Sequence, residues 1–281
     1  GFQIVDVSAP RAHAEASFYH PPALSTGLAV SGDFAYIASW DDGLHIVDIS
    51  TPDESRLVGL SGPALRRHVA VDGIYAYITG YGGLHILDTS DPTTPVEVGS
   101  IGDMGECHKV ATDGDYAYIA QYDYVYGGLH ILDISDPSVP IEVGLFDGSS
   151  ALGLAIVDHY AYITDGDNMR ILDIEDPTSP QEIGFIITPG AAQDVTVAGN
   201  YAYIADGYSG LRIIDISNPE EPFEVGSLAP TPFAYDVAVA GAFAYIASSH
   251  DGLRVINISS PTTPFEVGFF DTPDYAIRVV A

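Results

Sequence analysis

Carboxylates give this sequence its chemical character, with 39 Asp and Glu against nine Lys and Arg. Six of them recur at one point of a repeated pattern: Asp6, Asp48, Asp88, Asp133, Asp173 and Asp215. Each stands two residues before a Ser, or before Glu175 in one copy, at the entrance to a turn. A catalytic acid is not needed six times, whereas a side-chain acceptor that holds turn N–H groups is needed at every turn.

A second set lies at predicted loops. It comprises Trp40-Asp41-Asp42, Tyr81, Tyr122-Asp123-Tyr124 with Tyr126, Asp165-Gly166-Asp167, Asp206 with Tyr208, and His250-Asp251. Aromatic faces beside carboxylates suit sugar rings or cationic groups. Oxygen-rich loops also suit calcium, with Asp165 and Asp167 as the candidate ligands. The plain alternative is a row of polar loop tips with Tyr packed over them. Gln121–Gly127 is the longest of these loops and the best single contact element.

A third set appears when the starts of the first strands are aligned: Gly27, His68, Lys109, Gly153, Asp194, Asp236 and Arg278, preceded by Arg67, His108, Gln193 and Tyr235. This predicts a polar ring of mixed charge at the mouth of a central channel. Arg67, Lys109 and Arg278, with Arg66, collect there, four of the nine Lys and Arg in the chain. Such a ring can hold an anionic ligand, or pair internally with Asp194 and Asp236. Cys107, the only cysteine, falls beside Met104 and His108. Thiolate, thioether and imidazole could hold copper or zinc, but a buried free thiol is the simpler reading.

The elements that must position these residues are short strands. The motif YAYI, or a close variant, recurs with its second aromatic at Tyr36, Tyr77, Tyr118, Tyr162, Tyr203 and Tyr245, at spacings of 41, 41, 44, 41 and 42. A second motif, G-L-x-I-[VLI]-[DN], has seven copies, beginning at Gly1, Gly43, Gly83, Gly128, Asn168, Gly210 and Gly252. Periods near forty built of strands and Gly/Pro turns indicate a β-propeller. Each unit reads as a four-stranded blade: a small-apolar strand, a two-residue turn, YAYI, the L-x-I-x-D strand, a D-P-x-x-P turn, and V-E-V-G. Strands two and three are apolar on both faces, as blades packed on two neighbours require.

The expected fold is therefore all-β, a seven-bladed propeller in one domain over residues 1–281. Six full blades lie between a closing blade assembled from 1–18 and 275–281. That closing blade lacks one strand, because the gap from Ala281 round to Gly1 corresponds to Asp72–Gly82, eleven residues of the best copy. The chain starts at Gly1, without Met and inside a repeat, and reads as a trimmed piece of a longer precursor. An open edge of this kind could accept a strand from a partner or from a second copy.

The net charge of -30 excludes nucleic acid and anionic lipid as partners, since both need cationic contacts. No apolar run is long enough to span a membrane. Enzyme signatures such as G-x-S-x-G, H-E-x-x-H and the P-loop are missing, and no catalytic residue is assigned.

At the G-L-x-I-[VLI]-D-[IT]-S copies the chain resembles the LVIVD-repeat family. The resemblance implies a seven-bladed propeller and an extracellular or cell-surface location, and it implies no particular reaction. The leading expectation is a non-catalytic interaction or structural module, in a polymer-forming version if the open edge is used. The alternatives are a carbohydrate- or calcium-binding propeller that uses the Asp/Tyr loops, and an enzyme at the channel mouth built on His68, His108 and Asp194.

Overall fold

The computed structural model describes residues 1–281 except 9–13, 23, 63–65, 124–126, 149 and 230–232, together with the side chain of residue 66. The described residues contain strands and turns and no helix, so none is long and apolar enough to cross a membrane. The fold is a β-propeller of four-stranded blades.

A two-stranded sheet comes first, β1 (Phe2–Asp6) paired with β2 (Ala14–Tyr19). Blade 1 follows as an antiparallel meander of β3 (Ser25–Ser31), β4 (Phe34–Ser39), β5 (Gly43–Asp48) and β6 (Arg56–Ser61). Blades 2 to 6 repeat it, each with four strands in sequence order. Their first strands begin at Arg66, Glu106, Gly153, Asp194 and Asp236.

The described residues form six complete blades, not the expected seven. The N-terminal residues supply only β1 and β2. The expected C-terminal strand, Ile277–Ala281, joins no sheet. That segment still docks as a first strand would. Ala276 and Ser249 exchange two backbone hydrogen bonds (2.9 and 3.1 Å), and the N–H of Val279 donates to Asp236 Oδ2 at 2.8 Å. The latter repeats the bond from Val110 N–H to His68 Nδ1 at 3.5 Å, one residue past the aligned position in each case. Among the described residues no strand pairs with it in a ladder.

The chain forms two compact units, Gly1–Asp6 with Glu15–Ser149, and Val7–Ala14 with Ser150–Ala281. In the first unit, alternate residues of each blade face opposite neighbours. Tyr36, Leu44 and Ile46 of blade 1 pack on Val69, Ile78 and Leu87 of blade 2. Phe2 of β1 packs on Ala35, Ile37 and Val47, the other face of blade 1, with Ile4 and Tyr19 beside it. Blade 2 in turn meets blade 3 through Tyr77, Leu84 and Ile86 against Val110, Ile119 and Leu132. The second unit repeats the arrangement around Tyr162 and Tyr203. Strands two and three are thus buried on both faces, as their apolar runs demand.

Two details lie behind the V-E-V-G strand. Its register shifts in all six blades. In blade 2, Glu97 faces Leu87 and Gly99 faces Ile86, so Val98 is the extra residue of a β-bulge. The Gly then receives the D-P-x-x-P turn of the next blade. A Cβ on Gly59, Gly99, Gly184 or Gly226 would collide with the carbonyl oxygen of Pro92, Pro137, Pro219 or Pro261. In the first hairpin of blade 2, Gly73 turns the chain at φ +56°, a left-handed conformation that costs glycine nothing.

The repeated carboxylates hold these turns. Asp48 accepts from the N–H and hydroxyl of Ser50 at 3.0 and 2.7 Å, and Asp133 and Asp215 do the same with Ser135 and Ser217. Hydrogen bonds to the charged form pull Asp48, Asp88 and Asp133 below the ordinary carboxylate value, in Asp48 and Asp133 mainly through the Ser hydroxyl.

Candidate functional site

The aligned repeats put Trp40, Tyr81 and Tyr122 at one position in blades 1, 2 and 3, one residue past strand two in blades 1 and 2 and its last residue in blade 3. In blades 4 to 6 the same position holds Gly166, Gly207 and Ser249. The aromatic row therefore belongs to the first unit alone. It is tied to the following blade by backbone. Tyr81 bridges Glu106, and the N–H of Gly82 donates to Gly105 O at 2.9 Å.

Arg67, one residue before the aligned start of strand one, reaches into this row. Its guanidinium carbon lies 5.2 Å from the Trp40 ring centre and 5.3 Å from that of Tyr81. The two rings meet edge to face, with centroids 5.6 Å apart. Arg67 Nη2 pairs with Glu106 Oε1 and donates to the Tyr81 hydroxyl at 3.2 Å. His108 Nε2 lies 3.0 Å from the same Glu106 oxygen, and the imidazole packs on Tyr122 with centroids 5.1 Å apart. Trp40, Arg67, Tyr81, Glu106, His108 and Tyr122 thus form one cluster. Tyr81 is exposed, and Asp41 and Asp123 lie exposed beside Trp40 and Tyr122.

A polar chain runs behind the cluster. Gln121, next to Tyr122, donates to Met104 O at 2.5 Å. Its Oε1 meets His130 Nε2 at 2.7 Å, and His130 Nδ1 meets Glu142 at 2.8 Å. These bonds fix the end of the strand that carries Tyr122.

The structure thus brings together Trp40, Arg67, Tyr81, His108 and Tyr122, drawn from two sets that the sequence kept apart. Glu106, which holds the cluster, was missed. Its signal was faint, a carboxylate two residues before His108 at a point with no repeated motif. His68 turns instead to the Val110 backbone and is buried. Lys109 is half-buried and partnered. Tyr124 and Tyr126 lie outside the described residues.

The remaining candidates sit in the second unit. Asp194 and Asp236 are buried at strand-one starts, and Asp236 accepts from Val279. A Cβ on Gly153 would strike the Cα of Asp194, so these starts are backbone-packing positions. Tyr208 is exposed and meets Phe233 edge-on at 4.9 Å.

Asp165 accepts from Arg170 Nε at 2.8 Å and from Asn168, and Asp167 is exposed. Cys107 is buried against Met104 O. Burial first, and Glu106 second, push its thiol up to about 12. No group of three or more metal-ligating side chains occurs among the described residues.

Asp165, Arg170 and Glu182 form a three-charge set that recurs as Asp206–Arg212–Glu224 and Asp251–Arg254–Glu266. The first unit has His45, His85 and His130 at the Arg position. Burial raises the Asp206 carboxyl above its ordinary value even with Arg212 beside it.

Solved structures resemble this fold at low identity. A protein from Lactobacillus plantarum matches with a TM-score of 0.78 at 13% identity, over 98% of this chain and 92% of its own. The periplasmic gluconolactonase of Pseudomonas aeruginosa matches with a TM-score of 0.74 at 12% identity, over 98% and 92%. A computationally designed protein matches with a TM-score of 0.63 at 11% identity, over 92% and 89%. Likeness at this identity shows the fold and not an activity. No curated protein matches the chain by sequence. The family model for the LVIVD repeat matches residues 25–60, 66–103, 104–148, 147–188, 189–229 and 233–272, and the chain belongs to the LVIVD-repeat family.

Proposed function

We propose that this protein is a non-catalytic recognition module whose contact surface is the aromatic and acidic rim of its first unit. One observation carries the reading. Trp40, Tyr81 and Tyr122 occupy one repeat position in three successive blades, locked by Arg67, Glu106 and His108, while the second unit has small residues there. A merely structural repeat has no need of that asymmetry. Rigid aromatics beside polar groups are the usual anchors of interfaces. The family resemblance favours a setting outside the cytoplasm, which fractionation of the source cells would test.

The reading is tested by immobilising the protein and its Trp40→Ala, Tyr81→Ala and Tyr208→Ala variants against peptide and glycan arrays. Specific capture should fall about tenfold or more in the first two variants and persist in the third. Equal capture by all four proteins would sink the proposal.

A second reading, carbohydrate binding, is favoured by the exposed Tyr81 ring and accords with the sugar chemistry in the name of the Pseudomonas neighbour. Hits confined to the glycan array would select it.

A further inference from the structure

We infer that Arg67 is a built-in occupant of a cation-accepting aromatic cage, and that the group recognised by this rim is a guanidinium or ammonium borne by a basic segment of a protein partner. The inference rests on the recognition role of the first unit proposed above and names its ligand chemistry.

The walls are two rings at right angles, each just over 5 Å from the guanidinium carbon. Trp is the strongest cation–π partner and Tyr follows it. The floor is Glu106, and the Tyr81 hydroxyl supplies a further acceptor. Two aromatic walls, a carboxylate and a hydroxyl acceptor make a site built for a cation.

Arg67 fills that site incompletely. A guanidinium carries five N–H donors. Nη2 alone serves both Glu106 and Tyr81, while Nε is buried without a hydrogen-bond partner among the described residues. Glu106 Oε1 is also shared with His108. A buried donor left unpaired weakens the hold on the group that carries it. About a quarter of the Arg67 side chain remains accessible, so the cage can be reached from solvent. An incoming cation that pairs more of its donors can take the place of Arg67.

The field of the whole chain acts in the same direction. A net charge of -30 draws cations toward the protein and repels anions. Asp41 and Asp123 stand exposed at the two ends of the aromatic row.

Trp40 is the only tryptophan, so its fluorescence reports on this cage alone. Arg67→Ala and Arg67→Gln are titrated with guanidinium, tetramethylammonium and the neutral isostere urea, all at millimolar concentration. The wild type is titrated with a hexa-arginine peptide and with a neutral oligosaccharide. A saturable response to the cations is expected in both variants, roughly tenfold tighter than to urea and lost in the Arg67→Ala/Glu106→Gln double variant. Hexa-arginine should bind Arg67→Ala more tightly than the wild type.

Equal responses to urea and guanidinium would overturn the inference, as would a folded Arg67→Gln variant with no saturable response. Oligosaccharide binding without any cation response would also overturn it, in favour of a glycan ligand. In all three cases the recognition role stands if partner capture still depends on Trp40 and Tyr81. Should capture ignore those two residues, the recognition role itself fails.

Discussion

A carboxylate bound to the N–H and hydroxyl two residues ahead is a device one turn can build alone, so Asp48, Asp88 and Asp133 could be understood from their spacing. Blade 6 shows that the charge is dispensable. Asn257 stands at that position and accepts from Ser259 N–H and Oγ at 3.1 and 2.6 Å. Because the folded Asp values lie below the ordinary 3.8, these groups stabilise the fold above that pH and lose the contribution as pH falls through the lowered values. Replacing Asp48, Asp88 and Asp133 by Asn should therefore leave Tm at pH 7 little changed and flatten its decline between pH 4 and 2. His45 behaves similarly at higher pH. Burial holds its folded value below 6.5 against the pull of Asp42, so its contribution is complete above 6.5 and is lost as pH falls below. Its Nδ1 lies 2.8 Å from the Tyr19 hydroxyl of β2. Hydrogen exchange in β1 should accelerate first on acidification, and Tyr19→Phe should cost about 1 kcal/mol by urea unfolding at pH 7. The Arg67 cage was not legible in this way. Its walls, Trp40 and Tyr81, come from two blades and its floor, Glu106, from a third, and no local spacing reports that they meet.

At the level of the strand, periodicity located nearly every element because both faces of strands two and three are buried and punctuated by Gly and Pro. The bulge in V-E-V-G was invisible. An extra residue leaves the apolar pattern almost unchanged while shifting the pairing by one. It sits beside the glycine that receives the neighbouring turn, and Gly99→Ala should cost about 1–3 kcal/mol by overpacking. Denaturant unfolding would measure it, and Gly114→Ala serves as the contrast. At Gly114 a Cβ meets nothing within 4 Å, and only the left-handed φ of 58° is strained. The expected seventh blade failed for a reason of the same kind. The N-terminal residues read as strands three and four do pair, as β1 and β2, whereas Ile277–Ala281, read as strand one, forms no strand, because a sheet exists only where neighbouring strands pair.

For the whole molecule, the charge of -30 makes self-repulsion a general destabilising term that salt screens. Raising NaCl from 20 to 500 mM should lift Tm by about 2–4 °C for each kcal/mol of repulsion removed. Calcium at matched ionic strength should add nothing further if the acidity is diffuse. A saturable excess over magnesium would establish a bound ion instead. Light scattering in the same series tests self-assembly, with a concentration-dependent mass as the positive result. The contact between V-E-V-G and the following turn repeats from blade to blade. It joins unlike ends, a hollow on one repeat and a carbonyl on the next, so each repeat is a link with a fixed polarity. Cassettes of about 41 residues, cut at one phase of the repeat, carry both halves of the joint. Exchanging blade 2 for blade 5 at that phase should yield a chain that still folds, whereas a cut through the D-P-x-x-P turn should not. Composition along the array could then be changed one cassette at a time, with recognition side chains transplanted while the splice points stay the same.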